Sequence, residues 1–126
     1  MPAISRLFFS IAVFWLLVGL ALGMRMGVSG DHSSITSHAH INLLGWVSSA
    51  LFGIYYALFH ETVSMRLAKV HAGAYLIGLI IMLPSLYLRE RGHDVEAFIG
   101  IGATMICIGA LCFAWQIFFP SKVART

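Results

Sequence analysis

Four apolar runs, separated by short polar connections, decide what this chain can fold into. Leu7–Met24 has 18 residues and no charge, and Ala39–Phe59 has 21 with His40 its one readily ionised side chain. Val70–Leu88 has 19, interrupted by His71, and Ala97–Phe119 has 23 and no charge. About 20 apolar residues span the hydrocarbon core of a bilayer. Lipid offers no partner to a bare N–H or C=O, so runs of this length cross it as helices. With 60% hydrophobic and 10% charged residues in 126, a soluble domain is excluded. The expected architecture is a single integral membrane domain over residues 1–126, an all-α bundle of four transmembrane helices at about 7–24, 39–60, 66–88 and 96–119.

The formal charge of +3 does not point to nucleic acid. The basic residues flank the apolar runs, where orientation signals sit. Arg6, Arg66, Lys69, Lys122 and Arg125 fall on one side of the membrane, and Arg25, Arg89 and Arg91 on the other. The positive-inside rule then places both termini in the cytoplasm. Met1–Arg6 and the run behind it read as a first span rather than a cleaved leader, because Leu-Gly-Met-Arg-Met-Gly is a poor cleavage site. Cys107 and Cys112 lie inside the fourth run, in neither a C-x-x-C nor a C-x-x-C-H pattern, and read as small packing residues.

Gly19, Gly23 and Gly27 repeat every fourth residue and form a small stripe for close helix approach. Ser64 is positioned to cap the third helix. Pro84 falls near that helix's far end, where a kink is expected. At 100° per residue, His38, Asn42, Gly45, Ser49, Gly53, Tyr56 and His60 share one small, polar stripe of the second helix. That stripe is expected to face the bundle interior. His40 projects to the opposite side with Leu43, Leu44, Val47, Leu51 and Leu58, towards lipid, a partner or a bulky apolar cofactor. On the third helix His71, Ala74, Tyr75, Gly78, Met82 and Ser85 share a face.

His40-Ile-Asn42-Leu-Leu, followed by Trp46, Gly53 and Tyr55-Tyr56, resembles the second transmembrane helix of the heme–copper oxidase superfamily. The likeness is greatest to the large subunit of nitric-oxide reductases, with its His-Thr-Asn-Leu-type start and Gly-x-x-Tyr-Tyr-type end. Here Ile41 replaces the threonine, and one residue fewer separates Gly53 from the tyrosines. His38-Ala-His40 with Leu-Gly-Trp is similar to a group of small bacterial oxidase-like membrane proteins, and the Gly19/Gly23/Gly27 spacing to the superfamily's first helix. The resemblance covers roughly the first half of the chain. It implies that His40 is an axial ligand of a b-type heme, whereas periodicity makes His38 the inward histidine. The superfamily's copper-ligand helix and the helix carrying its second low-spin ligand have no counterpart. The chain is therefore too short to reduce oxygen or nitric oxide by itself.

Depth limits the ligand pairs. His71 is expected level with about residue 54 of the second helix, ~14 residues or ~21 Å from His40 at ~1.5 Å per residue. At His40's depth the second ligand would be Met82, His93 or His32, and a His/Met pair is an established way to hold heme. At His71's depth it would be His60, so one or two heme sites are open. His32, His38 and His93 with Asp31 and Asp94 could instead hold copper or zinc at the outer face. The resulting expectation is a b-type heme protein of a bacterial inner membrane. It would act in electron transfer or gas-ligand sensing linked to respiration or denitrification, as a homo-oligomer or with a respiratory-complex partner. The rivals are a cofactor-free accessory or assembly subunit and an outer-face metal-binding protein.

Overall fold

A computed structural model describes residues 1–121, all helix and connection. Among these residues four helices are long and apolar enough to cross a membrane: α1 (Ala3–Ser29), α2 (Ile35–Thr62), α3 (Met65–Glu90) and α4 (Glu96–Phe118). The protein is thus an all-α, four-helix, multi-pass membrane protein. The first three helices overrun their apolar runs at both ends, because turns of helix continue into the polar connections, and the fourth begins one residue early and ends one residue short. Lys122 and Arg125, which entered the charge balance, lie outside the described residues.

Local chemistry sets the ends. α1 stops at Gly30, whose φ of 71° lets its N–H return to the Met26 carbonyl at 3.0 Å. Gly92, at φ 89°, does the same service after α3. The Ser64 hydroxyl accepts from the Leu67 N–H at 3.4 Å and caps α3 as expected. The start of α2 is capped from another helix. Glu90, the last residue of α3, accepts from the Ser37 N–H at 3.1 Å and from the Ser37 hydroxyl. A carboxylate there satisfies one of the orphan N–H groups and complements the positive end of the helix dipole. Arg91 reaches the Ser34 hydroxyl at 3.3 Å and Asp31 at 3.7 Å, tying the same two elements again.

α2 is not a uniform helix. Ile35–His40 is α-helical, Ile41–Ser48 is a π-helix, Ser49–Phe59 returns to α, and His60–Thr62 closes as a 3₁₀ turn. Side-chain hydroxyls converge on the π stretch. Ser48 donates to the Leu43 carbonyl at 2.8 Å, and Tyr75 of α3 donates to the Leu44 carbonyl at 2.9 Å. In lipid such partners are what make a departure from regular helical bonding tolerable.

The helices pair as α1 with α2 and α3 with α4, and glycine makes each pairing close. A Cβ built on Gly19 would run into the Asn42 amide oxygen, on Gly45 it would lie 2.7 Å from Trp15, and on Gly53 3.2 Å from the Phe9 ring. Between α3 and α4 the backbones themselves meet. A Cβ on Gly102 would lie 2.7 Å from the Met82 backbone nitrogen and 2.9 Å from the Gly78 carbonyl oxygen. Gly27, by contrast, faces open space. Pro84 is accommodated within α3, which runs on to Glu90.

This packing predicts a sharp contrast within α4. Gly102→Ala must push two backbones apart and is expected to lower stability in detergent by about 1–3 kcal/mol, the usual range for overpacking. Gly100→Ala, where a Cβ meets nothing within 4 Å, should be neutral or slightly stabilising through helix propensity. Thermal unfolding of the two variants measures this, and equal losses would refute the close-contact argument.

Candidate functional site

The two neighbouring histidines of α2 have different surroundings. The His38 ring lies in the notch left by Gly23, where a Cβ would come within 2.9 Å of its Cε1. Its Nε2 lies 3.1 Å from the Asn42 amide nitrogen. An amide N–H donates, so Nε2 accepts and the hydrogen resides on Nδ1, which is buried without a partner. His38 and Asn42 therefore fill the helix interface, in adjoining notches at Gly23 and Gly19.

His40 is half-buried, and its Nδ1 lies 2.9 Å from the Thr36 carbonyl oxygen. A carbonyl only accepts, so Nδ1 carries the hydrogen and the lone pair stays on Nε2. Nε2 makes no hydrogen bond among the described residues. Leu43, Val47 and Leu51, one, two and three turns along, are exposed. An imidazole fixed through Nδ1–H to a backbone carbonyl, with Nε2 free, is the usual arrangement of a metal-binding histidine.

The other candidates have different surroundings. Met82 is buried against Gly102 of α4. His32 and His93 are exposed in the two connections, and His60 is exposed with Nδ1 3.4 Å from the Ala57 carbonyl. Among the described residues no three His, Cys, Asp or Glu side chains gather into a group that could hold a metal ion. His32, His38, His93, Asp31 and Asp94 accordingly do not form one cluster.

A second site lies in the bundle core, and sequence reasoning found only part of it. His71 is fully buried, with Nδ1 2.8 Å from the Tyr56 hydroxyl. The Gln116 amide nitrogen of α4 donates to the same hydroxyl at 2.9 Å. A hydroxyl that accepts from an amide gives its own proton onward, so Tyr56 donates to His71 Nδ1 and the imidazole hydrogen sits on Nε2. His71 Nε2 and Gln116 Oε1 are left buried without partners. Phe8, Phe52, Phe113 and Tyr75 wall the imidazole, with ring centroids 4.6–5.8 Å away. His71 thus pairs with Tyr56 rather than with His60. Gln116 was missed, although it is the one amide side chain in the fourth apolar run, and polar groups inside the bilayer are rarely idle.

Fold and site together define a small multi-pass α-helical membrane protein with one outward histidine at a helix start and one buried His–Tyr–Gln chain. Scans against known protein families, curated proteins and solved structures find no match.

The buried chain predicts strong coupling. Tyr56→Phe strands both His71 Nδ1 and the Gln116 amide, and is expected to destabilise by about 1–3 kcal/mol. In a double-mutant cycle with His71→Phe, the pair of changes should cost clearly less than the sum of the single ones. Additive losses on thermal unfolding would show that the three groups do not act as a unit.

Proposed function

We propose that this protein binds one b-type heme through His40 and serves electron transfer or gas-ligand sensing in a bacterial inner membrane, with both termini cytoplasmic. One observation carries the reading: the Nδ1–H bond to the Thr36 carbonyl leaves a bare Nε2 on an exposed leucine face. Leucines are suitable walls for a porphyrin, and the resemblance of α2 to the oxidase superfamily selects the same residue. His38 is the poorer candidate, because it is packed into the Gly23 notch and its Nε2 is engaged by Asn42. Met82 faces α4, so the proposal rests on His40 alone. When bound, the heme would supply one-electron or gas-binding chemistry, while His40 would supply an imidazole and the leucine face an apolar surround.

The protein purified in mild detergent should show a Soret band, with sharp α and β bands after dithionite. His40→Ala should remove most of the heme, whereas His38→Ala should keep the heme but loosen the α1–α2 interface. Loss of heme in His38→Ala alone, or a colourless wild type expressed with added heme precursor, would overturn the reading. A colourless protein would favour the cofactor-free accessory subunit. For orientation, a reporter fused after Thr126 should be active only if it functions in the cytoplasm.

A further inference from the structure

A lateral groove of about 500 Å³ opens between α1 and α3, with Ile41 of α2 at its floor. Its walls are apolar, with Trp15 and Leu22 on one side and Leu83 and Pro84 on the other, and Arg25 and Tyr87 stand at one end. A pocket of this size, apolar with a few polar groups at one end, is typical of a binding site for an amphiphile.

At that end Arg25 has no direct ion pair among the described residues, although four carboxylates, Asp31, Glu90, Asp94 and Glu96, stand on the same side of the membrane as Arg25, Arg89 and Arg91. The Arg25 guanidinium donates to the Tyr87 hydroxyl, and Arg91 lies over the Tyr87 ring at 5.0 Å from its centroid. Of the carboxylates nearby, Asp31 is 3.7 Å from Arg91, Glu90 is held by Ser37, and Glu96 is 3.5 Å from Arg89. The Ser33 backbone N–H and hydroxyl, helped by Arg91 and Arg25, hold the Asp31 carboxyl below its usual range, so it is ionised and committed. Among the described residues Arg25 has no carboxylate within ion-pair distance.

Length identifies the rest of the ligand. From Arg25 back to Trp15 is ten residues of α1, ~15 Å at ~1.5 Å per residue. That is about half of a ~30 Å hydrocarbon core, the depth of one leaflet. A guanidinium at the membrane edge above a leaflet-deep apolar groove suits a phosphate with an acyl chain hanging from it. A neutral ring ligand such as a quinone would fill the groove but leave the charge unmatched.

We infer that this groove binds an anionic phospholipid, its phosphate on Arg25 and Tyr87 and one acyl chain between α1 and α3. The site is independent of the heme reading, since it uses neither His38 nor His40. The test is thermal unfolding and native mass spectrometry of the delipidated full chain with dioleoylphosphatidylglycerol or dioleoylphosphatidylcholine. Phosphatidylglycerol should stabilise and be retained at roughly tenfold lower concentration than phosphatidylcholine, about the effect of one matched charge pair. Arg25→Gln should abolish that preference, and Arg25→Lys should keep part of it. Ala21→Phe fills the groove without touching the charge, and should weaken retention of phosphatidylglycerol. If Arg25→Gln does not accumulate, Ala21→Phe decides the matter by itself. Equal response to the two lipids would overturn the proposal, as would full retention by Ala21→Phe. Stabilisation by decylubiquinone that phosphatidylglycerol cannot displace would assign the groove to a neutral ring instead.

Discussion

Everything in this bundle depends on how closely its backbones approach. In lipid there is no hydrophobic drive between helices, because the acyl chains are as apolar as leucine. Association must come from packing contacts and hydrogen bonds, and both fall off steeply with distance. Gly78, Gly102 and Gly109 bring α3 and α4 into backbone contact, a Cβ on Gly109 lying 3.0 Å from the Tyr75 nitrogen. Gly19, Gly23, Gly45 and Gly53 do something different for α1 and α2. They act as notches for side chains, seating Asn42, His38, Trp15 and Phe9 in turn.

Close approach then makes the buried polar groups affordable. The Ser5 hydroxyl reaches the Gly53 carbonyl of α2 at 2.7 Å, and Tyr75 reaches Leu44. Both are bonds between helices, possible only because small residues let the elements meet. The same geometry brings Gln116 of α4 to Tyr56 of α2, across a core otherwise filled by aromatic rings. An exposed partner would be useless here, since no water enters to replace a broken bond.

Much of this was legible in the residues. The four spans, the Ser64 cap, two members of the Gly19/Gly23/Gly27 stripe and the α3 face of His71, Ala74, Tyr75, Gly78, Met82 and Ser85 all follow from length and period, and that α3 face is buried except at half-buried Ala74, while Gly27 faces open space. The inward stripe of α2 holds from His38 to Tyr56, with His38 and Asn42 half-buried against α1, but not at His60, which is exposed because the helix tightens into a 3₁₀ turn there. Ser37, Ile41, Gly45, Ser49 and Gly53 are buried at every fourth residue. In an α-helix each such step overshoots a full turn by about 40°, so four of them would swing the face through about 160°. The wider π turn over Ile41–Ser48 absorbs part of that drift. A projection at constant period cannot contain it, which is why it found His38 and Asn42 at the interface but passed over the more deeply buried Ser37 and Ile41. The Glu90 cap and the Gln116 contact were out of reach for another reason: each joins residues more than 50 positions apart.

Two histidines that stand only two residues apart fall on opposite sides of α2, as 100° per residue requires. His38 is committed to the interface, and its loss would open the Gly23 notch. His40 is left on the outer side with its ring fixed by Thr36. The Thr36 carbonyl is itself held in place, because the next residue, Ser37, is clamped by Glu90 through both its N–H and its hydroxyl. The orientation of the His40 ring is therefore set from the far end of α3. In the proposed reading, Glu90 is the group that decides whether the iron ligand is presented at a fixed angle or on a frayed first turn. The helix dipole alone could not do this, since it attracts a carboxylate without fixing where the carbonyls point.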